Sequence, residues 1–499
     1  MSGAELRPAE RATLLPATLV GFGVAALCAA TVAGRGVAPA AALLVLLAVV
    51  ATGYRFLLRW DVMVALVVLV VLLIPIKRYQ FAVSLPFDLE PYRILIAVVI
   101  ALWLAALLVD PRVELRGSAL DRPLLLLALV TIASVALNAD TVLGVNKGPQ
   151  VFDLSENVTK ELLFLTSFYL TFYFIVGVVR SPDAIHTVLK TLVLGATAVA
   201  LFALYERRTR YNVFDHLEGW VPFIDFEGGL SEAGIRRSGR LRVYGSAQHP
   251  IALAAMLAMI APISVYLAYQ TRRRAWLLTT LILALAALAT VSRTGVTMLA
   301  TGTIVFILLR PSVGKPLLIA ALPLLIAVHL VVPGAIGGLR QAFFPPEGLV
   351  QDQTVYGGRF SGERLGPQFE IIAARPAFGQ GYGTRVTRGF GRALNAPVLD
   401  NQWLGTAVET GLAGVLAWLW LFVRFVRRAG NEARRDLTGR GWLLTALAAS
   451  VSAFAIGMLT FDAFSFIQAT VVLFVLLALG VSTLAYRGSW PDRAPQGHA

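Results

Sequence analysis

Long apolar runs separated by short polar breaks dominate this chain. Each run of about 17 to 25 largely apolar residues is long enough to cross a bilayer as a helix. By that measure spans are expected near 13–33, 37–54, 61–76, 94–109, 122–137, 162–179, 184–205, 249–269, 275–292, 294–309, 316–332, 403–423, 441–460 and 465–486. The pattern predicts an all-α polytopic membrane protein with about 12 to 14 transmembrane helices and a large extracytoplasmic loop containing short helices. Composition agrees: 57% of the 499 residues are hydrophobic and only 14% are charged, against about 25% charged in a soluble domain. No fixed-period repeat is visible, which weakens an inverted-repeat transporter.

The run 276–309 is instructive. It is too long for one span, suits two short ones, and carries a single charge, Arg293. The break falls at Ser292–Arg293–Thr294–Gly295, where small and hydroxylated residues permit a tight turn. Snorkelling of Arg293 to lipid phosphates is the alternative to a functional role.

Short loops give the orientation. With the N-terminus inside, the cytoplasmic loops receive Arg112, Arg116 and Arg122, then the triplet Arg272–Arg274. They also receive the cluster Arg424, Arg427, Arg428, Arg434, Arg435 and Arg440. The organisation expected is an N-terminal bundle over 1–205, an outer loop over 206–248 and helices over 249–332. A large outer loop over 333–402, C-terminal helices over 403–486 and a cytoplasmic tail over 487–499 complete it. The polar start leads into an apolar run that reads as a first span, not a removed signal peptide.

Net charge is +14, and only five of the 43 basic residues are lysine. A GC-rich genome explains that bias, but arginine also grips phosphate oxygens bidentately. Arg236, Arg237, Arg240 and Arg242 lie within seven residues with no acid among them. They suit either lipid headgroups or a phosphorylated substrate. The lone Cys28 leaves no disulfide within the chain. In the large loop, PQFEIIAARP has the spacing of a short amphipathic helix, with Phe369, Ile372 and Ala373 on one face. Glycines 379, 381 and 383 are expected to let backbone amides approach a ligand. Candidate charges inside spans, which a transporter needs, are few: His186, Lys190, His329 and Asp462.

Four segments in order resemble the O-antigen ligase and O-antigen polymerase superfamily. These are Arg242-Val-Tyr-Gly-Ser-Ala-Gln-His-Pro, the Ser292-Arg-Thr-Gly turn, Arg359 followed by Pro376-Ala-Phe-Gly-Gln-Gly, and Asp400-Asn-Gln before Glu409-Thr-Gly-Leu-Ala-Gly414. The resemblance covers about residues 240–425. It implies transfer of a glycan from an undecaprenyl-diphosphate-linked donor to a glycan or lipid acceptor. The reaction would take place outside a bacterial cytoplasmic membrane, with no cofactor, no metal and no nucleic-acid partner. By motif match Arg293, Arg359, Arg242 and Arg240 would hold the diphosphate. Gln248, Asn401 and Arg375 would face glycan or acceptor. Ligases carry a histidine in the closing motif of the large loop, whereas this chain reads Asp400-Asn401 there. The general base is therefore expected at Asp400 or His249, with Glu363, Glu370 and Glu409 as lesser candidates and Glu409 read as a packing residue. That departure tilts the reading towards a polymerase, or a ligase-like enzyme for a polysaccharide other than lipopolysaccharide. A lipid-linked oligosaccharide flippase or polysaccharide transporter is the alternative of a different class.

Overall fold

In hydrocarbon a backbone must satisfy its own polar groups, so apolar runs fold as helices. The computed structural model describes residues 59–81, 90–111, 113–143, 154–221, 224–230, 236–237, 240–316, 362–385, 387–388, 392–393 and 399–491, with isolated positions between 319 and 337. The expected spans at 13–33 and 37–54, and nearly all of 316–332, lie outside the described residues. So does Arg359.

The helices are α1 (Trp60–Leu73), α2 (Pro91–Val109), α3 (Asp121–Leu137), α4 (Leu154–Val178), α5 (Pro182–Thr209) and α6 (Pro250–Thr271). They continue with α7 (Ala275–Ala289), α8 (Arg293–Leu309), α9 (Gly362–Ala374), α10 (Gln402–Arg435), α11 (Gly439–Gly457) and α12 (Ile467–Ala485). Seven of these, α2, α4, α5, α6, α10, α11 and α12, are long and apolar enough to cross a membrane. α1, α7 and α8 are shorter apolar helices beside them. The protein is an all-α, multi-pass membrane protein. Among the described residues the only strands are two- or three-residue pairs, such as β1 (Tyr79–Phe81) against β2 (Ile224–Phe226), antiparallel with Gln80 opposite Asp225.

Local signals explain the boundaries. Ser181 caps α5 by accepting the Ala184 N–H at 3.2 Å, with Pro182 at the first helical position. Arg272, in a left-handed conformation, ends α6. The run 276–309 breaks where expected: α7 stops at Ala289 and α8 starts at Arg293. Two boundaries differ by eight residues or more. The helix expected from 162 begins at Leu154. The expected span 403–423 is part of an element that runs on to Arg435. At 1.5 Å per residue the stretch from Leu412 to Arg435 is about 36 Å long, so its arginine-rich end outreaches a bilayer core of about 30 Å.

α6 and α12 form the centre, with 83% and 94% of their apolar windows buried, against 28% for peripheral α2. Such helices are apolar all round because protein covers them on every side. Small residues bring them together: Ser450 of α11 donates to the Met259 carbonyl of α6 at 2.6 Å. Leu102, Leu125, Leu129 and Ile132 are exposed on α2 and α3 and face lipid.

The bundle has two unlike ends. Arg272–Arg274 and Arg434–Arg440 mark one. The other carries the long segments 206–249 and 362–401, and is called the loop-rich end below.

α10 is broken at Gly411 (φ 66°, ψ −167°). There Leu412 and Ala413 donate to the carbonyls of Pro376 and Ala377, at 2.8 and 3.1 Å, instead of to their own helix. In return Gln380 and Gly381 donate to the vacated carbonyls of Val408 and Glu409, at 2.9 and 3.0 Å. A Cβ on Gly379 would lie 2.5 Å from the Glu409 carbonyl carbon, and one on Gly411 would overlap the backbone of Ala377. Both glycines also have left-handed φ. Glycines 379 and 381 thus approach the chain itself, correcting the expectation that their amides serve a ligand. Gly379→Ala and Gly411→Ala should each cost about 2 kcal/mol or more and lower the thermal unfolding midpoint in detergent by several degrees. Gly366→Ala, with nothing within 4 Å of the added carbon, should leave the midpoint unchanged or raise it.

Candidate functional site

Arg78 anchors the segment that leads into α6. Its guanidinium, with a side chain 5% exposed, donates to Asp215 Oδ1 at 2.5 Å and to the Gly245 and Ala247 carbonyls at 2.6 and 3.3 Å. The Tyr244 hydroxyl donates to the other Asp215 oxygen at 2.6 Å. Burial, then this contact with Asp215, raises the phenol above its ordinary pKa. Glu206 accepts the Tyr244 and Gly245 N–H groups at 3.2 and 2.9 Å. This network holds Arg242 to His249 in one shape.

Arg242 is buried and donates from Nε to the Thr290 carbonyl at 2.9 Å. Thr290 opens the turn before Arg293, so two arginines far apart in sequence meet at one turn. Arg293 is 6% exposed, whereas an arginine that snorkels to lipid headgroups reaches solvent. It is held inside protein. Gly295 permits this close packing, since a Cβ there would sit 2.8 Å from the Ala254 Cβ.

The turn between α11 and α12, residues 458–467, ties the other motifs to this pair. Thr294 donates to the Thr460 carbonyl at 3.3 Å, and Thr460 donates to the Thr294 hydroxyl at 2.8 Å. Gln248 accepts the Ile467 N–H at 3.1 Å, and His249 stacks on Phe466 with ring centroids 5.8 Å apart. From the far side, the Gln402 N–H donates to the carbonyls of Met458 and Phe461, while its side-chain oxygen accepts the Phe464 N–H at 3.0 Å. Asp400 and Asn401 precede Gln402, Asp400 with a left-handed φ of 51° and Asn401 as the cap of α10.

Beside this turn a polar cleft opens at the loop-rich end. It holds a cavity of about 140 Å³ lined by Lys77, Glu161, Tyr382, Arg385, Gln402 and Glu409, with Phe164 and Phe464. Arg385 stands 3.5 Å from Asp462 of the turn, the two side chains 8% and 9% exposed. The Arg385 backbone N–H also reaches the Glu409 carboxylate. Lys77 meets water at the mouth, while protein around its other sides lowers its pKa from the ordinary lysine value by desolvation. Burial raises the Tyr382 phenol well above its usual range. A second cavity, narrower and mostly apolar, continues inward from Glu161, Tyr382 and Glu409 between α3, α4, α10 and α12. Chemically, the turn supplies guanidinium groups for an anion and the cleft supplies carboxylates that can take a proton.

Arg242 and Arg293 thus share the 290–293 turn, Gln248 and His249 contact Ile467 and Phe466, and Asp400 and Asn401 immediately precede Gln402, which bonds the 458–464 backbone. Arg375 is not part of this group: it is exposed and bonds the Asn138 side chain at the end of α3. Arg240 belongs to a two-residue strand pair, with its backbone opposite Arg237. His249 has a capping role, accepting the Ile251 N–H on Nδ1 at 3.2 Å. Glu409, read from sequence as a packing residue, lines the cleft instead. The helix expected around 367–376 begins earlier, at Gly362, and its Phe369 is exposed while Gln368 is buried. Lys77, Glu161 and Arg385 carried no signal of their own in the sequence. Among the described residues no group of three or more His, Cys, Asp or Glu could hold a metal ion. No protein-family model matches the chain, and no curated protein sequence matches it.

Proposed function

We propose that the chain transfers a glycan from an undecaprenyl-diphosphate carrier to an acceptor hydroxyl, in the assembly of a bacterial surface polysaccharide. One observation carries this reading. The two-arginine turn and the carboxylate-lined cleft both contact the same 458–467 turn. Glycan transfer needs those two chemistries side by side: cations for a departing diphosphate and a base for an attacking hydroxyl.

In the step proposed, the acceptor oxygen attacks the anomeric carbon of the donor sugar. The bond from that carbon to the diphosphate oxygen breaks, and its electron pair leaves with the diphosphate. Arg242 and Arg293, with Arg359 by motif, take up the charge that develops there. The hydroxyl proton passes to a carboxylate, either Asp400 or an acid of the cleft, Glu409 or Glu161. The arginine-rich loops at the opposite end support an outward-facing loop-rich end, and with it a reaction on the outer face of the cytoplasmic membrane.

Arg293→Ala should reduce transfer from a lipid-linked donor by about 100-fold or more, with the protein still inserted and melting near the wild-type temperature. Wild-type surface glycan in cells carrying that variant would sink the diphosphate assignment. Topology is tested separately in a Cys28→Ser background. A cysteine placed at the exposed Glu227 should react with an impermeant maleimide added outside, and one at the exposed Arg273 only after lysis. The reverse pattern would turn the site inward and remove the reading.

A further inference from the structure

Arg385 is less fully bonded than Arg78 at the same end of the bundle. Arg78 has a carboxylate and two carbonyls within reach. Arg385 faces the Asp462 oxygen at 3.5 Å and interacts electrostatically with Glu409 and Glu161, and among the described residues its Nε and Nη1 are buried with no hydrogen-bond partner. A buried guanidinium with two open nitrogens on the wall of a cleft is a place for an anion. The fold makes room for it deliberately. Arg385 lies across Gly405 of α10, where a Cβ would be 2.8 Å from its Nη2. Lys77, on a segment more than three hundred positions earlier in the chain, lines the same cleft and adds a second cation.

The remaining lining groups say what kind of molecule carries the anion. Glu161, Glu409, Asn157 and Gln402 offer acceptors and amides suited to hydroxyl groups, and Phe164 and Phe464 offer ring faces. The cavity of about 140 Å³ is seven times the roughly 20 Å³ of the apolar cavity below it. The narrower apolar cavity below is too slim to seat a chain of isoprene units beside it, with space for little more than a water molecule. The ligand chemistry is therefore that of a charged sugar, not of a lipid tail.

We propose that this cleft is the acceptor subsite and that it selects a saccharide bearing an acidic group, a carboxylate or a phosphate, through Arg385 and Lys77. The word acceptor rests on the transfer reading above; the selection of an acidic saccharide does not.

The test uses the purified full-length protein in nanodiscs and three fluorescent tetrasaccharides, one containing glucuronate, one carrying a sugar 6-phosphate and one neutral. At least one acidic tetrasaccharide should bind about 10- to 100-fold more tightly than the neutral one, and which one does identifies the acid. Arg385→Gln should abolish that preference. So should Gly405→Ala, which keeps every charge but displaces the guanidinium, and Lys77→Gln should reduce it. Equal binding of all three sugars, no binding of any, or a preference that survives both Arg385→Gln and Gly405→Ala would overturn the proposal. Undecaprenyl diphosphate binding, measured on the same samples, separates the two readings. If it persists while no acidic preference exists, the subsite falls and transfer stands. If the preference exists but undecaprenyl diphosphate does not bind, the saccharide site stands and transfer falls.

Discussion

The site depends on the exchange of backbone hydrogen bonds at Gly411. Helix α10 gives up the two bonds that would join residues 412 and 413 to Val408 and Glu409, and both ends find substitutes in the 376–381 turn. Broken backbone at membrane depth survives only where protein or a cavity satisfies it. Here the substitution is one for one, so no carbonyl is stranded. Ser134 and Asn138 of neighbouring α3 add bonds to the Glu409 and Gly379 carbonyls at 2.7 and 3.2 Å. The exchange draws a loop into the bundle. Residues 382–385 follow directly, which is how Tyr382 and Arg385 come to line a cleft between helices.

Buried charge shows how the loop-rich end divides its work. Burying an ion is expensive unless partners surround it. Arg78 is surrounded, by Asp215 and two carbonyls, and its effect is to fix the segment 242–249. Asp215 in turn is shared with Tyr244, so the network closes on itself. Among the described residues, Nε and Nη1 of Arg385 have no hydrogen-bond partner. The contrast separates a structural arginine from one with capacity to spare, although burial alone makes them look alike.

Much of this was legible in the chain and some was not, for identifiable reasons. Hydropathy revealed the helices because each apolar run must satisfy its own backbone. Length revealed the break before Arg293, since 34 apolar residues exceed one span. The sequence also showed Arg242, His249 and Arg293 as oddities near helix ends, and the fold brings the two arginines to one turn and sets His249 against Phe466. The glycines at 379 and 381 were misread, because a glycine needed for close approach does not say what approaches. Here it is the backbone of α10. Glu409 was misread for a related reason: an acid one turn into an apolar helix resembles a packing residue until the helix is known to break beside it. The cleft itself was invisible. Lys77, Glu161, Arg385 and Glu409 come from four separated segments. No local pattern joins them.

The depth of the two cleft acids bears on the class of function. Glu161 and Glu409 each stand seven residues from the loop-rich end of their helices, α4 and α10. At 1.5 Å per residue that is about 10 Å along each helix. Transport across the membrane asks for polar groups that continue along a path to the other side. Below these acids the lining turns to Leu127, Leu165, Phe168, Trp418 and Phe474 with a few threonines. A polar cleft closed beneath by apolar packing favours chemistry at one face over passage between two. Desolvation at that depth also strengthens any contact between a guanidinium and an anion. The same partial burial that makes these charges costly to keep is what gives them use.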